Sequence, residues 1–248
     1  LKPLNFIKSK QAQRFLLSKK SVSGEKVIGG AVAKPHSRPY MVYLIINRSD
    51  HHTSCGGFLI REDFVLTAAH CDGNKLTALL GAQNVLQNEE TQQIIGVEKS
   101  FPHPLYNNGT YDIMLLKLKK KARLGVAVGL IPVPWRRVPP GTVCSVAGWG
   151  AVDREGRNAS PELQEVNVTV LSDKQCRKRW GDQYDETKIC GGMPDHGVCK
   201  GDSGGPLVCE EKAYGIVSRG GELCEEMPTI YTKISVYEPW INETLAQN

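Results

Sequence analysis

Short apolar runs separated by turn residues recur along the chain from Val27 onward. Met41–Ile46, Phe64–Ala69, Ile113–Leu118, Val143–Ala147, Glu165–Val170, Pro206–Cys209, Gly215–Ser218 and Ile230–Ile234 each read as a strand. In Glu165-Val166-Asn167-Val168-Thr169-Val170 the valines share one face and Asn167 takes the other, the period of a half-buried strand. Many short strands of this kind predict an all-β barrel or sandwich. The pattern changes near the end. Val236, Tyr237, Trp240, Ile241 and Leu245 fall at helical spacing over Val236–Ala246, with Pro239 near the first turn. Residues 1–26 are polar, basic and unpatterned, and Phe15-Leu16-Leu17 is too short for the apolar core of a signal peptide. No internal repeat stands out.

Composition agrees with this pattern. The 248 residues include 25 Gly and 14 Pro, which suits a turn-rich β protein with one large core or two small ones. No apolar run approaches the ~20 residues of a membrane-spanning helix. The net charge of +5 is unevenly placed: residues 1–26 hold seven Lys/Arg against Glu25, so the remainder is close to neutral. A near-neutral body argues against nucleic acid as a partner. Eight cysteines, with no Cys-x-x-Cys or Cys/His cluster at zinc spacing, indicate disulfides in an oxidising compartment, with the pairing left open. Asn-x-Ser/Thr sequons at Asn47, Asn108, Asn158, Asn167 and Asn242 fit a secretory route. Asn167 is the best placed of them, on the polar face of its strand, while Pro161 weakens the Asn158 sequon.

The chemistry concentrates in Gly201-Asp202-Ser203-Gly204-Gly205-Pro206. Gly201 lets the backbone turn so that its own N–H and that of Ser203 face one point, where they would hold a developing oxyanion. Ser203 is the candidate nucleophile, and a serine hydroxyl needs a base to take its proton. His70, in Thr67-Ala68-Ala69-His70-Cys71, supplies an imidazole, the side chain most often used to take a proton and give it back. Asp112, before the apolar run Ile113–Leu118, supplies a carboxylate to fix its tautomer.

At these stretches the chain resembles the chymotrypsin-like (trypsin-fold) serine proteases, in which the order is likewise His, Asp, Ser. Val27-Ile28-Gly29-Gly30, Cys55-Gly56-Gly57, Gly148-Trp149-Gly150 and Gly215-Ile216-Val217-Ser218 extend the likeness from Val27 to about Leu245. Lys34-Pro35-His36-Ser37-Arg38-Pro39-Tyr40-Met41 and Asp112-Ile113-Met114-Leu115 are most similar to granzymes and mast-cell proteases. The resemblance implies an all-β fold of two six-stranded antiparallel barrels with a C-terminal helix. The implied division is a leader or propeptide over 1–26, barrels over 27–132 and 133–235, and a helix over 236–248, the crossing lying near Ile131-Pro132-Val133-Pro134. It further implies the disulfides Cys55–Cys71, Cys144–Cys209, Cys176–Cys190 and Cys199–Cys224, and a hydrogen bond from Ser218 to Asp112.

By the same resemblance, cleavage after Lys26 would free the α-amino group of Val27 to pair with Asp202 and order the oxyanion loop. With residues 1–26 attached the chain would be an inactive zymogen. The specificity pocket would comprise Gly197 at its base with Val198, Ser218, Arg219, Gly220 and Thr229 in its walls. Gly197 stands where trypsin-like members have Asp, so Lys or Arg is not the expected preference; an apolar residue, medium-sized or aromatic, is. Thr229 narrows the interior, and Arg219 replaces the family's usual aromatic platform, facing either acidic substrate side chains or solvent. Lys117, Lys119, Lys120, Lys121 and Arg123, with Arg136 and Arg137, are solvated loops or a site for sulfated proteoglycan. Ala82 stands where calcium-binding relatives supply a carboxylate, and no cofactor or metal is expected. The implied partners are protein or peptide substrates and serpin-type inhibitors, for a monomer that is secreted or stored in granules. The rival expectation is a catalytically weak or inactive homologue that acts by binding.

Overall fold

The computed structural model describes residues 30–153, 155–192, 201–220 and 228–248. Among them the first strands are β1 (Ala31–Val32), β2 (Met41–Asn47), β3 (His52–Arg61), β4 (Phe64–Thr67), β5 (Lys75–Leu80), β6 (Gln93–Pro102) and β7 (Met114–Leu118). The later strands are β8 (Val143–Gly148), β9 (Gln164–Val170), β10 (Lys188–Gly192), β11 (Pro206–Cys209), β12 (Lys212–Arg219) and β13 (Thr229–Lys233). Among the described residues two α-helices, α1 (Asp173–Trp180) and α2 (Glu238–Gln247), accompany the strands with short 3-10 turns. Every apolar run named from the sequence lies in a strand to within two residues.

The strands close into two antiparallel barrels. The first has the order β2-β3-β4-β7-β6-β5. The second runs β9-β10-β13-β12-β11-β8 and closes through β9–β8 pairing, with β1 attached to β9. In β9, Val166, Val168 and Val170 are buried and Asn167 is exposed, so the period-two pattern sets the register of that wall. The segment between β7 and β8 crosses from barrel to barrel without a strand. There the Ile131 N–H donates to Leu59 O (3.0 Å) on one side, and Pro132 O accepts from the Ala213 N–H (3.0 Å) on the other.

A continuous apolar core runs from the first barrel across the junction to Trp149, Ile216, Tyr237 and Ile241. Trp149 meets Tyr43 edge-on, with ring centroids 5.6 Å apart. The terminal helix begins one residue before Pro239 and lays Ile241 and Thr244 against the body. Arg61 Nη1 donates to Leu245 O (2.7 Å) and Lys117 Nζ to Asn248 O (2.8 Å), tying α2 to the first barrel. Cys55–Cys71, Cys144–Cys209 and Cys176–Cys190 are bonded, each worth about 2–4 kcal/mol. Cys199 and Cys224 lie outside the described residues, as do Lys26, Val27, Gly197 and Val198.

Candidate active site

The site forms where the barrels meet, and each barrel delivers part of it. β4 ends at Thr67, and the buried small residues Ala68 and Ala69 lead into a 3-10 turn, Ala69–Cys71, that carries His70. The Cys55–Cys71 bond anchors this turn to β3. Asp112 stands just before β7 and is 2% exposed. One carboxylate oxygen accepts the His70 backbone N–H (3.0 Å); the other lies 2.8 Å from His70 Nδ1 and accepts the Ser218 hydroxyl (2.6 Å). The Asp112 carbonyl accepts the Thr232 hydroxyl (2.8 Å), so the second barrel holds the residue from two sides.

The buried carboxyl of Asp112 experiences opposing effects. Burial pushes its pKa up, but the bonds and charge from His70, together with Ser218, outweigh it and hold the group below the ordinary carboxylate range. Its contribution to stability is therefore complete above about pH 4 and is lost as pH falls through the lowered value. Asp112→Asn is expected to lower stability at neutral pH by on the order of 1–3 kcal/mol. Melting temperatures of the two proteins should converge on acidification; a gap that stays constant from neutral to strongly acidic pH would contradict this account.

Ser203 arrives on the loop 201–205 of the second barrel. Its carbonyl accepts the Gly56 N–H of β3 (2.7 Å), which docks the loop on the first barrel. The Gly204 N–H donates to Val217 O (2.8 Å) and the Val217 N–H to Gly205 O (2.9 Å), which knits the loop to β12. Gly201 has φ +103°, and a Cβ there would lie 2.9 Å from Gly150 Cα, so only glycine suits the turn beside the serine. Among the described residues the amides of Gly201 and Ser203 donate to no protein group, and the Ser203 hydroxyl is not bonded to the His70 ring. Such bonds commonly tighten only when substrate is bound.

Asp202 is 4% exposed, and its carboxylate lies against Gly148 and Gly150. Its Oδ1 accepts the Gly150 N–H (2.9 Å), and a Cβ on Gly150 would sit 2.5 Å from its Cγ. The two glycines flanking Trp149 are thus the walls of a carboxylate pocket. Cys55, Cys71 and His70 place ligand-type atoms near one another, but both sulfurs are spent in the disulfide and the imidazole is held by Asp112. This set does not fit a metal ion.

The cleft rim differs from what the motifs alone suggested. Arg219 ends β12 with its guanidinium exposed, yet Nη1 donates to Gln183 Oε1 (3.0 Å), and a Cβ on Gly109 would be 3.4 Å from Nη2. It spans the rim instead of swinging freely. Gly220 follows it, and Thr229 is buried at the start of β13. Of the basic stretches, Lys117 bridges to Asp63 (2.6 Å), Lys121 to Glu62 (3.0 Å), Arg136 to Glu210 (3.3 Å) and Arg137 to Asp173 (3.1 Å). Lys119 and Lys120 are exposed.

Two contributors escaped sequence reasoning. Arg48 donates from Nη2 to His70 O (2.7 Å) and from Nε to Asp72 O (3.3 Å), capping the carbonyls at the end of the histidine turn. Tyr111 takes φ +53° immediately before Asp112 and stacks on His103, which also meets Tyr237 and Trp240. This aromatic cluster supports the carboxylate loop from below.

Comparison with known proteins agrees with the geometry. The trypsin family model matches residues 27–241. Mast cell protease 2 of Meriones unguiculatus is 48% identical over 94% of this chain and 96% of its own length. Granzyme B of Rattus norvegicus is 48% identical with the same coverage, and chymase of Canis lupus familiaris is 48% identical over 90% of this chain and 92% of its own. Among solved structures, GrC superposes with a TM-score of 0.84 at 43% identity, covering 89% of this chain and all of that one. Neuropsin, a serine protease expressed in the limbic system of mouse brain, superposes with a TM-score of 0.81 at 34% identity, covering 87% of this chain and 98% of its own.

Proposed function

The chain belongs to the trypsin family and is a chymotrypsin-like serine endopeptidase, and we propose that it cleaves peptide bonds through an acyl-enzyme formed on Ser203. The Ser203 oxygen attacks the scissile carbonyl while His70 takes its proton. The oxyanion is received by the Gly201 and Ser203 amides. The C–N bond then breaks as His70 gives the proton to the leaving amine. Water, activated by the same imidazole, releases the acyl group. Asp112 orients the ring and stabilises its charged form. The observation that carries this reading is the buried Asp112 carboxylate, bonded at once by both nitrogens of the His70 residue that face it and by Ser218. A fluorophosphonate probe tests it: the protein trimmed to Val27 should be labelled on Ser203. Absence of labelling in folded protein would favour the inactive, binding homologue instead.

Activation by cleavage after Lys26 has support in the register of the second barrel. Val32 pairs with Gln164, and Gln164 pairs with Gly148, whose neighbourhood is filled by Asp202. Two strand spacings of ~4.8 Å separate the arm from the carboxylate pocket. The five residues back to Val27 reach ~16 Å when extended, enough to bring an α-amino group to Asp202. Secretion or granule storage follows the same reading, with the disulfides in support.

For specificity we adopt an apolar residue in the pocket floored by Gly197, and acidic residues nearby, drawn by Arg219. Peptides with Asp or Glu beside the scissile bond are expected to be cut several-fold faster than neutral ones, an advantage that shrinks as salt screens exposed charge over ~8 Å or less. Arg219→Trp should remove the advantage and favour aromatic sequences. Identical profiles for both proteins, with no salt dependence, would make Arg219 a bystander.

A further inference from the structure

We propose that Asn108 carries an N-linked glycan that screens the mouth of the cleft from large substrates; the proposal rests on the secretory peptidase reading above. Asn107 and Thr110 face each other in an isolated antiparallel bridge, with N–H···O bonds of 2.9 and 3.2 Å in the two directions. Asn108 and Gly109 are left as a two-residue turn with φ of +39° and +93°. Both are left-handed, the form that Asn-Gly adopts most readily in tight hairpins. The Thr110 hydroxyl donates to Asn107 O (2.6 Å), so the sequon folds into its own turn. Asn108 is exposed at the tip, and among the described residues its carboxamide makes no hydrogen bond.

The other sequons are placed differently. Asn47 lies in β2 with its carboxamide 2.6 Å from the His52 ring, and the Asn158 amide donates to Asp153 (2.8 Å). Asn167 is exposed but lies in the middle of β9, paired with Ser145 of β8, and Thr244 of the Asn242 sequon is turned into α2. The Asn108 sequon lies beside the cleft rim: Gly109 lies against Arg219, whose neighbour Ser218 bonds Asp112. The Asn47 sequon meets the site instead at the backbone of the histidine turn, where Arg48 bonds His70 O. A bulky, hydrated chain rooted there overhangs the route by which a folded protein reaches Ser203, while a short peptide passes beneath it.

The modification is a group transfer from an oligosaccharide carried on a lipid pyrophosphate. The bond from the sugar C1 to phosphate oxygen breaks, a bond from C1 to Asn108 Nδ2 forms, and one amide proton is lost. The full chain is produced in secretory eukaryotic cells as wild type, as Asn108→Gly, which keeps a residue suited to the turn, and as Thr110→Ser, which keeps the sequon. Each is trimmed to Val27. Mass spectrometry of the peptide containing residue 108 should find a glycan in wild type and Thr110→Ser only. Cleavage of labelled casein is compared with cleavage of short synthetic peptides that copy its observed cut sites. Asn108→Gly, or wild type treated with peptide N-glycosidase, should cut casein about tenfold faster while peptide kcat/KM changes by less than about twofold. An unmodified Asn108 would overturn the site. A glycan whose removal leaves the casein-to-peptide ratio unchanged would overturn the screening role. If a fluorophosphonate labels neither form, the peptidase reading fails on its own account, and the mass of the peptide still decides the modification.

Discussion

Replacing Ser203 with alanine is expected to remove peptidase activity by about four to six orders of magnitude while leaving the fold intact. The loss is large because the covalent step disappears, not because the loop collapses. The loop is held by backbone groups that the substitution keeps: Ser203 O on the Gly56 N–H, the Gly204 N–H on Val217 O, and the Gly205 N–H on Asp202 O. Melting temperature should shift little, since no hydrogen bond joins the hydroxyl to another described residue. Turnover within tenfold of wild type would rule out Ser203 as nucleophile.

The second large effect concerns Asp202, which touches no substrate in the proposed mechanism. In protein trimmed to Val27, Asp202→Asn is expected to cost at least ~100-fold in kcat, the scale of losing one oxyanion donor. The cause would be a loosened turn at Gly201, whose own amide is one of the two proposed to receive the oxyanion. Gly150→Ala should act through the same pocket, because its Cβ would lie 2.5 Å from Asp202 Cγ. Chain retaining residues 1–26 should be nearly as inactive as either variant. Full activity in the untrimmed chain would refute the activation reading, and full activity in trimmed Asp202→Asn would refute the role of the carboxylate.

The residues that meet at the barrel junction were legible because their motifs carry steric demands. Gly201 and Gly204 stand where the backbone turns left-handed, and Gly150 makes room for a buried carboxylate. The strands were legible wherever one face was fully apolar, as in β9. β6 was not, because it carries Glu98, Lys99 and Ser100 with a register shift between Val97 and Lys99 that breaks any alternation. β1, only two residues long, offers no period at all. Arg48 left no signal because its partners are carbonyls, which every residue has, and it sits in the hydrophilic stretch Asn47–His51 that reads as a solvated turn. The strained Tyr111 likewise depends on an aromatic cluster assembled from three distant segments. For Arg219 the sequence left two orientations open, and only the tertiary placement of Gln183 and Gly109 fixes the side chain along the rim.

Dividing the site between two barrels has a bearing on the cell that makes the protein. A ribosome delivers His70 and Asp112 long before Ser203, and in the proposed mechanism the first barrel on its own holds a base without a nucleophile. Ser218 and Thr232, which brace Asp112, emerge later still. The helix that ties Leu245 and Asn248 back to Arg61 and Lys117 follows both barrels in the chain. On the proposed mechanism, chemistry therefore waits until both barrels have been made and have met.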